Sequence, residues 1–137
     1  MLINELIRWI MESYIKETNF KRDDVIKEIV SFVRLNHNWD GYEAVPLEVE
    51  SAANAIMLTN QLSDNVLLDK LTNLYPNPHG TISFEWENES NEILSLEVGN
   101  TSFSYYAQFN STGIQQFDNM AITITEISKL SSSISLI

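Results

Sequence analysis

The stretch that decides the fold is residues 81–109, which read TISFEWENESNEILSLEVGNTSFSYYAQF. Segments 81–87, 93–98 and 101–109 alternate apolar and polar residues, which is the period of a β-strand with one buried face. We therefore predict a three-stranded antiparallel meander. Its apolar face is expected to contain Ile82, Phe84, Trp86, Leu94, Leu96, Val98, Phe103, Tyr105, Ala107 and Phe109.

The connections between these segments predict how the strands pair. Gly99-Asn100 is typical of a two-residue hairpin turn, which would pair Leu96 with Phe103. A loop over residues 88–92 would pair Phe84 with Leu96. In this register every apolar residue lies on one face, whereas a slip of one residue would scatter them over both faces.

The opposite face of the predicted sheet is acidic. Glu85 and Glu87 lie on the same side of one strand, about 7 Å apart, and Glu97 lies diagonally across from Glu85. The three carboxylates could form an ordinary solvated face, dock a basic partner, bind a divalent cation or act as an acid/base pair. An open face does not supply the desolvation that catalytic carboxylates usually need, which weakens the last alternative.

Helical periodicity dominates the first half of the chain. Apolar residues spaced three and four apart predict two helices that form an N-terminal helical hairpin over residues 1–36. Residues 37–80 are expected to hold a loop, a third helix that starts at Pro46 and runs to about Gln61, and a short helix over residues 66–74.

The C-terminal segment, residues 110–137, is ambiguous. Phe117, Met120, Ile124 and Ile127 have helical spacing, yet residues 121–125 are rich in strand-forming residues. We favour a C-terminal helix packed on the apolar face of the sheet. The whole chain, residues 1–137, is then a single α+β domain.

The most specific local sequence is Asn38-Trp39-Asp40-Gly41-Tyr42. Gly41 permits a positive φ and Asp40 can close a turn through its side chain. Trp39 and Tyr42 could fill the seam between the helical hairpin and the rest of the domain, with Asp40 bonded to nearby backbone. They could instead form an exposed aromatic anchor for a partner.

The charge of the chain is unevenly distributed. Residues 1–34 carry six bases and six acids, whereas residues 35–137 carry thirteen acids and two bases, Lys70 and Lys129, so that the net charge is −11. Such a surface disfavours nucleic acid and anionic membrane and favours a basic partner. Glu5, Arg8 and Glu12 interrupt the apolar N-terminus, so we expect an amphipathic helix there and neither a signal peptide nor a membrane span.

The chain lacks the residues that several kinds of chemical site require. The chain has no cysteine, which excludes disulfides and thiolate metal sites and fits a reducing, cytoplasmic location. The four glycines form no phosphate-binding loop, and His37 and His79 have no spacing typical of a metal or catalytic site. We therefore expect no cofactor and no metal.

Residues Asn38-Trp39-Asp40-Gly41-Tyr42-Glu43-Ala44, with Pro46 and then Gly80-x-Ile82-x-x-Glu85-Trp86, carry a resemblance. The chain resembles a set of small bacterial proteins with the pattern W-D-G-Y-G-A-x-P, a helix, P-x-x-x-G-G-I-x-L-E-W and a short meander. It departs from that pattern at Glu43 and at Thr81, where the pattern has glycine. No activity comes with the resemblance, which implies an interaction role rather than metabolism.

Together these observations predict a non-enzymatic, acidic protein-binding module of antitoxin-, immunity- or inhibitor-like character that engages a basic partner surface. Two alternatives remain: a self-associating structural domain that forms a homodimer, and a carboxylate-based metal-binding protein or enzyme. The predicted partner-binding residues are Trp39, Asp40, Tyr42, Glu85, Glu87 and Glu97.

Overall fold

The computed structural model describes residues 21–137, so the first helix of the predicted N-terminal hairpin lies outside the described residues. The elements are, in chain order, α1 (Arg22–Val33), α2 (Val49–Gln61), α3 (Asp64–Leu68), β1 (Leu71–Pro76), β2 (Ile82–Glu87), β3 (Ile93–Val98), β4 (Ser102–Phe109), β5 (Gly113–Ala121) and α4 (Ile124–Ser135).

The strands form one antiparallel sheet in the order β1-β2-β3-β4-β5. Its inner face packs against the helices, which contribute Ile29 of α1, Leu58 of α2 and Leu130 of α4 to the core. The fold is α+β, but the prediction of a three-stranded meander with its arrangement of helices is wrong. The sheet has two further strands, one at each edge.

The two missed strands share a physical cause. In β1, Leu71 pairs with Trp86 and Leu74 pairs with Phe84, so three positions of β1 match two positions of β2. A β-bulge absorbs the additional residue and places both leucines against the core. The bulge thus turns the two-residue spacing of a strand into the three-residue spacing of a helix. The short helix predicted over residues 66–74 is present only as α3, which ends at Leu68, and residues 71–74 belong to β1 instead.

The same irregularity occurs in β5. Phe117 pairs with Tyr105 and Met120 pairs with Phe103, with a register shift between them and a positive φ of 54° at Asn119. Phe117 and Met120 therefore pack against the core from one strand despite their helical spacing. The C-terminal helix begins later than predicted, at Ile124.

The predicted register of β2 and β3 is confirmed, with Phe84 opposite Leu96. The register of β3 and β4 is shifted by two residues: Leu96 pairs with Tyr105, not with Phe103. The connection is longer than a two-residue turn, and a side chain of α2 is bonded to it. The side-chain nitrogen of Asn54, Nδ2, donates to the carbonyl oxygens of Gly99 at 3.0 Å and Asn100 at 2.8 Å.

A shift of two residues leaves every side chain on its predicted face, because side chains alternate with a period of two. Trp86 illustrates the result: its side chain is fully buried, its ring stacks on Phe84 with centroids 5.7 Å apart, and its indole nitrogen donates to the carbonyl oxygen of Leu67 at 2.9 Å.

Candidate protein-binding face

The outer face of the sheet, opposite the helices, carries most of the predicted site. Glu85, Glu87 and Glu97 all point to this face, and Glu97 lies diagonally across from Glu85 as predicted. None of the strand residues is a lysine or an arginine. The strands therefore contribute carboxylates to this face and no lysine or arginine.

Glu85 is held by the edge strand that the sequence pattern did not predict. One carboxylate oxygen accepts a hydrogen bond from the amide of Asn73 at 3.1 Å, and the other accepts from the hydroxyl of Tyr75 at 3.3 Å. Burial raises the pKa of Tyr75, and the negative charge of Glu85 raises it further. Tyr75 therefore remains a donor at neutral pH and orients the carboxylate.

Exposed aromatic surface lies beside these acids. In the sheet, Glu85 is opposite Ser95, and Ser95 is opposite Tyr106. Tyr75 is 39% exposed and Tyr106 is 40% exposed. Tyrosine combines a large apolar ring with a polar end, which is why it is frequent in protein interfaces. Carboxylates and tyrosines thus share one accessible surface.

Glu97 lies in a polar network at one end of the sheet. Its Oε2 accepts a hydrogen bond from the hydroxyl of Thr81 at 2.5 Å and lies 2.7 Å from Nε2 of His79. The amide of Asn77 donates to Thr81 at 2.9 Å and to Ser83 at 2.9 Å. Burial raises the pKa of Glu97, but the hydrogen bonds from Thr81 and His79 outweigh it and lower the pKa below its ordinary value.

Residues 38–44 form a compact loop closed by its own polar groups. Oδ1 of Asp40 accepts from the backbone N–H of Tyr42 at 2.8 Å and of Ala44 at 3.0 Å, which confirms the predicted turn closure. Gly41 has the expected positive φ, 78°. The side chain of Asp40 is thus occupied in holding the loop.

The two aromatic residues of this loop differ in exposure. Trp39 is half-buried and donates its indole N–H to the carbonyl oxygen of Val45 at 2.7 Å. Tyr42 is 88% exposed, so it does not fill a seam in the domain. The loop adjoins the β1–β2 connection, because the N–H of Val45 donates to the carbonyl oxygen of Pro78 at 2.9 Å.

The structure therefore brings Glu85, Glu87 and Glu97 together on one face and leaves Trp39, Asp40 and Tyr42 in a separate loop. Sequence reasoning missed Asn73 and Tyr75, because their strand was predicted as helix or loop. The Thr72-Asn73-Leu74-Tyr75-Pro76 sequence held part of the signal: the strand-forming residues Thr72 and Tyr75 come just before a proline, which is tolerated at the edge of a sheet.

Within residues 21–137 no group of three or more histidine or acidic side chains is arranged to hold a metal ion. In the same part of the chain, no helix has the length and apolar character needed to cross a membrane. No family model matches the sequence, and no match was found among curated proteins or solved structures.

Proposed function

We propose that this protein is a non-enzymatic, acidic protein-binding module that uses the outer face of its sheet to engage a basic surface of another protein. The observation that carries the proposal is the combination of Glu85, Glu87 and Glu97 with the accessible rings of Tyr75 and Tyr106. An interface of this composition pairs charge complementarity with aromatic anchors.

The oriented state of Glu85 supports this role. A carboxylate already held by Asn73 and Tyr75 loses less side-chain freedom when it binds a cation than a free glutamate would. The net charge of −11 adds long-range attraction for a basic protein and repels nucleic acid. In a cell such a module would mask its partner's basic surface, as an antitoxin, an immunity protein or an inhibitor does. The proposal includes a cytoplasmic location, with which the lack of cysteine is consistent.

The test compares two double variants of equal charge. The first variant, Glu85→Lys with Glu87→Lys, reverses the charge at two positions of the outer face. The second, Glu50→Lys with Glu89→Lys, reverses the charge of exposed glutamates in α2 and in the β2–β3 loop. Each substitution changes the charge by two units, so both proteins differ from the net charge of −11 by the same amount. Circular dichroism would establish that both fold.

Immobilised wild type and variants would be incubated with native lysate at low salt, and any captured protein would then be purified for association kinetics. We expect wild type and the Glu50/Glu89 variant to bind the same basic protein, with an association rate that falls steeply with salt. The Glu85/Glu87 variant should lose this binding. Equal binding by both variants, or an association rate insensitive to salt, would refute the proposal.

A further inference from the structure

A groove of about 260 Å³ separates α1 from the edge strand β1. Its lining combines three apolar side chains, Val25, Leu71 and Leu74, with two carboxylates of α1, Asp24 and Glu28. Such a lining suits lysine or arginine, whose aliphatic stem packs on apolar surface while the charged end reaches a carboxylate.

The side of β1 that faces the groove has no strand partner within residues 21–137. Among the described residues β1 pairs only with β2, and Thr72, Asn73 and Tyr75 are exposed. The outward N–H and C=O groups of an edge strand can pair with an extended segment of another protein, which then continues the sheet.

Acids flank both sides of this position. Side chains of an added strand would alternate between the two faces of the sheet. On the inner side they would meet Asp24 and Glu28, and on the outer side they would approach Glu85 and Tyr75. The bases of α1 are directed elsewhere, because Lys27 lines a different cleft and Arg22 is paired with Asp64 at 2.7 Å.

We infer that the basic partner contributes an extended segment rich in lysine or arginine, which adds to the sheet beside β1 as a sixth strand. The inference rests on the proposed function and names the part of the partner that is recognised. The strand pair at the other edge, β4 and β5, contains a single acid, Asp118, whereas β1 lies between the glutamates of β2 and the carboxylates of Asp24 and Glu28, so charge favours β1.

The probe is a synthetic peptide, Lys-Thr-Lys-Val-Lys-Thr-Lys-Val, compared with Lys-Lys-Lys-Lys-Thr-Val-Thr-Val of the same composition. Only the first can direct all four lysines to the groove side, which carries two carboxylates, while its threonines and valines lie on the outer side, where the carboxylate of Glu85 is already bonded to Asn73 and Tyr75. Each would be titrated into the full-length, ¹⁵N-labelled protein at low salt. We expect the alternating peptide to bind more tightly and to shift the amide signals of Asn73 to Tyr75 and of Glu28, leaving those of Gly113–Phe117 unchanged.

Variant Glu28→Lys should weaken the alternating peptide about five- to tenfold, since it replaces one attractive charge pair by a repulsive one. The matched control Glu89→Lys, with the same change in net charge, should leave affinity within about twofold. Glu28 and Glu89 are both exposed, and neither side chain makes a hydrogen bond among the described residues.

Other outcomes would overturn the inference in distinguishable ways. Shifts confined to Glu85, Glu97 and Tyr106 would keep the proposed function and reject strand addition. Shifts along β5 would place the added strand at the wrong edge. Absence of binding by either peptide, with the full-length protein folded, would reject the groove as the recognition site, while the lysate comparison would still decide the proposed function.

Discussion

Trp86 donates its indole N–H to the carbonyl oxygen of Leu67, 2.9 Å away, and thereby joins the middle of the sheet to the short helix α3. Both residues are fully buried, so bulk water does not reach this hydrogen bond in the folded protein. The contact is a sensitive point of the core.

We expect Trp86→Phe to lower the free energy of unfolding by about 2–4 kcal/mol, because it leaves a buried carbonyl without its donor and removes ring volume. Urea unfolding measures the change. Trp39→Phe is the control: it also removes an indole hydrogen bond, to Val45, but from a half-buried loop where water can substitute. An equal loss in both variants would contradict the role of burial.

Substitution by alanine should have different effects at two glycines of positive φ, Gly80 and Gly113. The φ of Gly80 is +95°, and a Cβ atom there would lie 2.8 Å from Cγ of Glu48. Gly113 also has a positive φ, +78°, but nothing lies within 4 Å of the position of its Cβ. Gly113→Ala should therefore cost about 1 kcal/mol of backbone strain. Gly80→Ala should cost about 1 kcal/mol more, because the side chain of Glu48 must move away and loses the hydrogen bond that it accepts from Asn100. Thermal or urea unfolding of the two variants side by side would test this order.

At Glu43, substitution by glycine should stabilise the protein. Glu43 has a positive φ of 67° in the loop over residues 38–44, where a glycine carries no steric penalty. Glu43→Gly should stabilise the protein by about 0.5–1 kcal/mol, with the greater freedom of glycine in the unfolded chain offsetting part of the relief. Glu50→Gly, within α2, should instead destabilise it by about 1 kcal/mol. Loss of stability in the Glu43 variant would show that its side chain contributes more than its strain costs.

The pH dependence of stability should change when Glu97 is neutralised. The pKa of Glu97 is lowered in the folded protein from its ordinary value of 4.5, so its stabilising effect is complete above that value and is lost as pH falls through the folded pKa. Glu97→Gln should therefore flatten the decline of unfolding free energy at acid pH. The control Glu89→Gln alters an exposed loop carboxylate, and an identical pH profile for both variants would contradict the assignment.

How far the sequence predicts this fold depends on where a strand lies in the sheet. The central strands β2, β3 and β4 alternate regularly, so their faces and the pairing of Phe84 with Leu96 could be predicted. The edge strands could not, because the bulges that separate Leu71 from Leu74 and Phe117 from Met120 imitate helical spacing. An edge strand tolerates such an irregularity because only one neighbour must match it.

The candidate site also has one part that could be predicted from the central strands and another that could not be predicted. The common face of Glu85, Glu87 and Glu97 was predicted from alternation alone. The donors that hold Glu85 lie on β1, and His79 reaches Glu97 from the β1–β2 connection. These contacts depend on tertiary positions that local patterns do not encode.

The hydrogen bonds from the side chain of Asn54 to the β3–β4 connection have a consequence for the order of folding. The local Gly99-Asn100 sequence favours a tighter turn than the one observed, and the amide of Asn54 reaches this connection only after α2 has docked. An isolated peptide of residues 93–109 should therefore place Leu96 opposite Phe103. Nuclear Overhauser contacts between these two residues would detect this register. If the peptide instead adopts the native register, the packing between the two strands is sufficient to set it without α2. The slipped register in the peptide would identify α2, an element outside the sheet, as the template that selects the native hairpin in the intact chain.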